Sequence, residues 1–224
     1  MSAGTLQARA RALRHVAAQS TGPPLDPSLR VRLNFHPARV SGGRTVLERL
    51  AEDGVYVSQF VTGTSNGGLT ARPDGDRWHW ESRIFGGAYD GASAQERPVH
   101  GALDFRRSAY GAAPRFGSAH FRLNAQTLAH ATFCYPDSFL EPTDFGVAAA
   151  GHRLVALAEA DGRDALDDYI EAQVHGPVRL DRHVEALVLD PCFQGTVVEK
   201  TARAGQHDPQ DLKRVWHCLA RFGR

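Results

Sequence analysis

The sequence predicts an α+β domain with a mixed or mainly antiparallel sheet and flanking helices. Two segments, 31–36 and 169–175, alternate apolar and polar residues with the period of a strand. Helical spacing recurs between strand-like runs, but without the regular strand–helix–strand rhythm of a parallel sheet.

The elements follow in order. Residues 1–20 mix arginines and alanines and lack an apolar signal core, so a short, solvated amphipathic helix is expected. Pro23, Pro24 and Pro27 cannot continue it. The expected division is therefore a helical appendage and linker at 1–27 and one α+β domain of catalytic type at 28–224. In 31–36, Val31, Leu33 and Phe35 share one face of a strand, while Arg32, Asn34 and His36 share the other. Gly42 and Gly43 precede a helix over 44–52, with Val46, Leu47 and Leu50 on one side. The β-branched and aromatic run 55–61 reads as a buried strand. Further strands are expected at 101–105 and 118–123, around a loop at 111–117 that carries Arg115. The alanine-rich stretch 145–160 reads as a helix. Residues 184–189 form a continuous apolar run, expected to be a covered strand. A last helix is expected at 211–220.

Composition narrows the function. The formal net charge is +1, so no general basic field draws the chain to nucleic acid or anionic lipid. No apolar run approaches the roughly 20 residues of a membrane span. Cys134, Cys192 and Cys218 are few and widely spaced, which points to a reducing compartment rather than a disulfide framework. The expected location is the cytoplasm, or another cell's cytosol if the chain is a delivered toxin or effector. The histidines show no metal-ligand spacing, so no metal is expected.

Two stretches offer chemistry. On the strand at 169–175, Tyr169, Glu171, Gln173 and His175 share a face, and a buried carboxylate there needs partners or a task. An exposed polar sheet face is the plainer alternative. The segment from Thr62 to Gly68 holds hydroxyls, an amide and three glycines after a strand. Its backbone suits close approach by a ligand, and Asn66-Gly67 equally suits a hairpin turn. It lacks the lysine of a phosphate-binding loop. Glu81, Asp137 and Ser138 are better explained by pairing and capping.

The stretches LNFHP at 33–37, DGVYVSQFVTGTSNGG at 53–68, FGGAYD at 85–90, PRFGS at 114–118, YIEAQVHG at 169–176 and EALVLDP at 185–191 together resemble a bacterial family of unknown function. The order of parts also resembles an ADP-ribosyltransferase, with His36 on the first core strand, Thr64-Ser65 next and Glu171 late. That resemblance implies a split sheet gripping NAD as substrate. It implies Glu171, His36 and Ser65 as catalytic residues. His36, Thr62, Thr64, Ser65, Asn66, Gly67 and Gly68 would contact NAD. Gln173 and Arg115 would contact the acceptor, a protein or nucleic acid. The order Glu171-Ala172-Gln173 departs from the usual motif, which places glutamate after the glutamine, so these two roles are open to exchange. The alternatives are a hydrolase using a histidine and a carboxylate, with or without metal, and a non-catalytic binding module.

Overall fold

The alternating segments become strands because each buries its apolar row and pairs its backbone in a shared ladder. The computed structural model describes residues 3–63, 70–164 and 166–204. In chain order the elements are α1 (Ala3–Ala17), β1 (Val31–Phe35), β2 (Val40–Ser41), β3 (Arg44–Thr45), α2 (Val46–Asp53), β4 (Val55–Tyr56), α3 (Gln59–Thr62) and α4 (Asp76–Ile84). Then come β5 (Val99–Leu103), β6 (Ala119–Leu123), β7 (Ala131–Tyr135), β8 (Asp144–Val147), α5 (His152–Ala160), β9 (Ile170–Val174), β10 (Val178–Arg179), α6 (Leu180–His183), β11 (Val184–Leu189) and α7 (Val197–Ala204).

Seven strands hydrogen-bond in the order β11-β6-β1-β5-β9-β7-β8, with each neighbouring pair antiparallel. The architecture is α+β with a mainly antiparallel sheet. One face carries the main core, in which Val31, Leu33, Phe35, Leu103, Phe121, Phe133 and Ile170 meet Leu47, Leu50 and Leu154 from the helices. The helix expected at 44–52 starts at Val46, closed by a capping box between Thr45 and Glu48. The apolar run 184–189 is a strand at one sheet edge, and Ala186 and Leu187 on its opposite faces are both buried.

Three expectations change. Residues 55–61 are not one strand: β4 is two residues long and pairs with β10, and α3 follows. Ser58 stands at the helix N-cap and is buried with its hydroxyl donating to the Ala94 carbonyl at 2.7 Å. That tertiary contact ends the strand. Residues 145–160 are not one helix either. Asp144 to Val147 complete the sheet beside β7, and the helix begins only at His152. The ladder bonds offered by β7 outweigh local helix preference there. Finally, α1 is not a solvated helix. Ala8, Ala12 and Val16 form a buried stripe against Trp80, Ile84, Phe85 and Tyr89, and the helix rests on β7 and β8. The helix expected at 211–220 lies outside the described residues.

The loop between β5 and β6 crosses the sheet and is pinned to β1. The Asn34 amide donates to the carbonyls of Gly117 at 3.0 Å and Tyr110 at 3.2 Å. Gly117 has φ 144, and a Cβ there would lie 2.0 Å from the Phe35 carbonyl carbon. That is backbone and cannot swing aside. Gly117→Ala is expected to cost about 1–3 kcal/mol in urea unfolding. A loss within error would show that the loop does not need this close approach.

Candidate active site

Directly paired residues of neighbouring strands share a sheet face. Arg32 pairs with Ala102, and Ala102 pairs with Glu171. The polar rows of β1 and β9, far apart in sequence, therefore lie on one face, separated by β5. His100 joins them on that face, two residues before Ala102 on the same strand. Ala102 leaves room because it carries only a methyl group.

Helix α4 covers part of this face. Arg77, Trp80, Glu81 and Ile84 are its buried residues, at the spacing of one helix side. Glu81 is 0% exposed, which demands compensation for its charge. Arg97 donates to its Oε2 at 2.6 Å, and His100 Nε2 lies 3.0 Å from its Oε1. The other ring nitrogen of His100 faces Glu171 Oε1 at 2.7 Å and Arg77 Nη1 at 3.0 Å. A row Arg97–Glu81–His100–Glu171 thus runs across the face, with Arg77 alongside.

Glu171 is held from a second side. The backbone N–H of Ser138 donates to its Oε2 at 2.8 Å. Ser138 is placed by Asp137, whose carboxylate accepts from the N–H groups of Phe139 and Leu140 and from the Tyr169 hydroxyl. Burial alone would raise the Glu171 carboxyl. The His100 hydrogen bond and charge, Arg77 and the Ser138 N–H outweigh that and bring it down to about 2. Glu171 is therefore an ionised carboxylate at neutral pH, held by donors on both oxygens.

It lines a cavity of about 160 Å³ together with Arg32, Asn34, Gln59, Arg77, His100 and Tyr169. That volume accepts one ring with a substituent and is well below the ~300–1,000 Å³ of sites for whole drug-sized ligands. Two of its lining residues each carry an enclosed polar atom with no hydrogen-bond partner among the described residues. They are Arg77 Nε, a donor, and Gln59 Oε1, an acceptor. Among the described residues, no three His, Cys, Asp or Glu side chains are grouped to hold a metal ion.

The family model "Protein of unknown function (DUF3626)" matches residues 30–160 and 147–218. The chain belongs to the DUF3626 family. No curated protein matches it. Among solved structures, the DUF3626 chain is similar to Thermus sp. 2.9 DarT in complex with NAD+, at 12% identity and a TM-score of 0.48, over 82% of this chain and 92% of that one. It is also similar to Thermus sp. 2.9 DarT in complex with ADP-ribosylated ssDNA, at 12% identity and a TM-score of 0.41, over 83% and 92%.

In this DUF3626 member, Glu171 and Arg115 both line the cavity, Arg115 ion-paired with Asp167. Gln173 does not reach it. Its amide is consumed inside the protein, accepting from the Thr132 hydroxyl at 2.8 Å and donating to Cys134 Sγ at 3.4 Å. Its described contacts are internal to the sheet. His36 is exposed, one residue beyond β1, and is not among the cavity residues. Thr62 ends α3 on the surface. Thr64, Ser65, Asn66, Gly67 and Gly68 lie outside the described residues. The sequence reading missed His100, Arg77 and Gln59. The signal for His100 was a lone polar residue in 99–103, a strand expected to begin only at Gly101. Asp137 does cap a short helix, as expected, and in doing so aims the Ser138 N–H at Glu171.

The same face holds two buried neutral histidines. Tyr89 donates to His175 Nδ1 at 2.8 Å, and Thr132 Oγ1, whose hydrogen goes to Gln173, accepts from His175 Nε2 at 3.0 Å. Burial pushes His175 and His120 down to about 3. An unfolded chain would protonate both near pH 6.5, so their contribution to stability is lost progressively as pH falls from about 6.5 towards 3. Glu171 adds a loss in the same direction below about pH 4.5, as its unfolded carboxyl protonates first. Thermal melts should be level from pH 7 to 8 and fall steadily from pH 6.5 to 4.5. Level melts down to pH 5 would show that these rings are not buried neutral.

Proposed function

We propose that this chain is an ADP-ribosyltransferase-type enzyme that cleaves the nicotinamide–ribose bond of NAD and transfers ADP-ribose to an acceptor, a protein or nucleic acid. The observation behind this is the pairing of an anchored carboxylate, Glu171, with a ring-sized cavity lined by Arg77 and Gln59, whose enclosed Nε donor and Oε1 acceptor have no partner among the described residues. A primary carboxamide is the complement of that pair, because its oxygen accepts and its NH₂ donates. Nicotinamide is a ring bearing a primary carboxamide.

The chemistry asks for what Glu171 supplies. The C–N bond breaks with its electron pair going to the nicotinamide nitrogen. Positive charge develops on the ribose carbon. An acceptor nucleophile then forms the new bond to that carbon and loses its proton to solvent or a base. A fixed carboxylate stabilises the developing charge without reorganising. Glu81, held by Arg97, keeps His100 in place, and His100 orients Glu171. The TGTSNGG stretch and His36 complete the dinucleotide site in this reading, as their resemblance to the transferase motifs suggests.

The test is incubation with NAD and chromatography for free nicotinamide, with protein and nucleic-acid acceptors added in separate arms. Nicotinamide release together with a labelled acceptor supports the reading. No release in any arm at high enzyme concentration overturns it.

A further inference from the structure

The loop between β5 and β6 divides the polar sheet face, and a second, larger cavity of about 430 Å³ lies on its other side, against β6 and β11. Leu103, Phe105, Val188 and Leu189 give it apolar walls, and Tyr110, 64% exposed, stands at its lining. It contains none of the Glu171, His100, Arg77 or Gln59 side chains.

His120, 2% exposed, is a buried polar residue of its lining, as is Asp104. Arg32 Nη1 lies 3.2 Å from His120 Nε2. A guanidinium only donates, so Nε2 accepts and the ring proton sits on Nδ1. That Nδ1–H has no partner among the described residues. Gly111 packs its backbone closely at this edge of the ring, since a Cβ there would come within 2.6 Å of Asn34 Oδ1 and 2.9 Å of His120 Nδ1. Burial, with Arg32 and Arg122 nearby, brings His120 down to about 3, so this donor is uncharged at neutral pH.

The ionised groups on the wall disfavour an anion. Asp104, Asp168, Asp190 and Arg106 line it, Arg106 paired with Asp168 and Arg32 2.8 Å from Asp104. The balance is negative by one charge. Phosphate would enter against that field. The remaining polar side chains are the hydroxyls of Ser108, Tyr110 and Ser118. Apolar walls, neutral donors and a negative balance suit a flat, uncharged ring with an acceptor atom.

We propose that this cavity is a second ligand site, distinct from the Glu171 cavity, that binds an uncharged heteroaromatic ring of nucleoside size through the His120 N–H. The claim does not depend on NAD cleavage. The probes are adenosine and uridine, with AMP and UMP as their charged counterparts, titrated into the full-length protein and followed by NMR. Saturable shifts at His120, Val188 and Leu189 are expected with at least one nucleoside, and its monophosphate should bind about tenfold more weakly. His120→Phe removes the donor, and Ala109→Trp fills the cavity from the exposed side of the loop without touching His120. Each should weaken binding about tenfold or more. Glu171→Gln should leave it unchanged. Overturning results are no saturable binding at millimolar nucleoside, shifts that map to His100 and Glu171 instead, equal affinity for the monophosphate, or full affinity in Ala109→Trp.

Discussion

Glu171→Gln should lower nicotinamide release by about 10³-fold, the scale of removing one fixed electrostatic stabiliser from a transition state. The substitution keeps the shape of the side chain. Its single amide oxygen accepts from one of the His100 and Ser138 donors, which lie 2.7 and 2.8 Å from different carboxylate oxygens in the native protein. The substitution removes the negative charge that would face the developing ribose cation, together with one of the two anchoring hydrogen bonds. The melting temperature checks that the fold survives. The acid side of the pH–rate profile provides an independent check. Glu171 is held down to about 2, so it remains ionised through the range where an ordinary glutamate protonates. The wild-type rate should therefore show no acid limb near pH 4.5 from this group, provided the profile is taken where the protein is folded. His100→Phe, which removes the imidazole but keeps a ring, should slow the reaction and bring such a limb into view. Unchanged turnover in Glu171→Gln would remove the catalytic assignment. An unchanged pH profile in His100→Phe would remove the positioning role.

Arg97→Met should destabilise the fold by about 3–5 kcal/mol, the cost of leaving a buried charge without its partner. Arg97 is 3% exposed and donates both to Glu81 and, at 3.0 Å, to the Tyr89 carbonyl. Its guanidinium also sits 4.3 Å from the centre of the Phe60 ring. Methionine retains much of the apolar contact and loses the charge. Glu81, fully enclosed, would then face only His100. Adding Glu81→Gln should restore a large part of the loss, because the uncompensated charge disappears. Urea unfolding of the single and double variants measures both quantities. A single-variant loss below about 1 kcal/mol would mean that water reaches Glu81 and that the row is not a buried one.

Much of the sheet was legible because its strands are amphipathic. Val31 to Phe35 and Ile170 to Val174 place apolar side chains on one face and polar ones on the other, and that period is visible without any partner. Ser58 and Phe145 to Val147 depart from expectation for a shared reason. Their conformations are set by a carbonyl at Ala94 and by the edge of β7, both distant in sequence. The stripe Ala8, Ala12, Val16 was too weak in hydrophobicity to announce burial, although small side chains are what allow a helix to lie close on a sheet.

Residue pattern by itself determined the α+β class, the two polar strand rows, and Glu171 as the acidic group to watch. Only the tertiary structure decided that these rows share one face, that His100 stands between them, and that Gln173 turns into an internal hydrogen-bond network while Glu171 meets a cavity. The reason is physical. Alternation along a strand is local and fixes which side chains point together. Which strand lies beside which, and what a helix lays across them, depends on pairing between segments far apart in sequence, such as Arg30 with Glu185, 155 residues away.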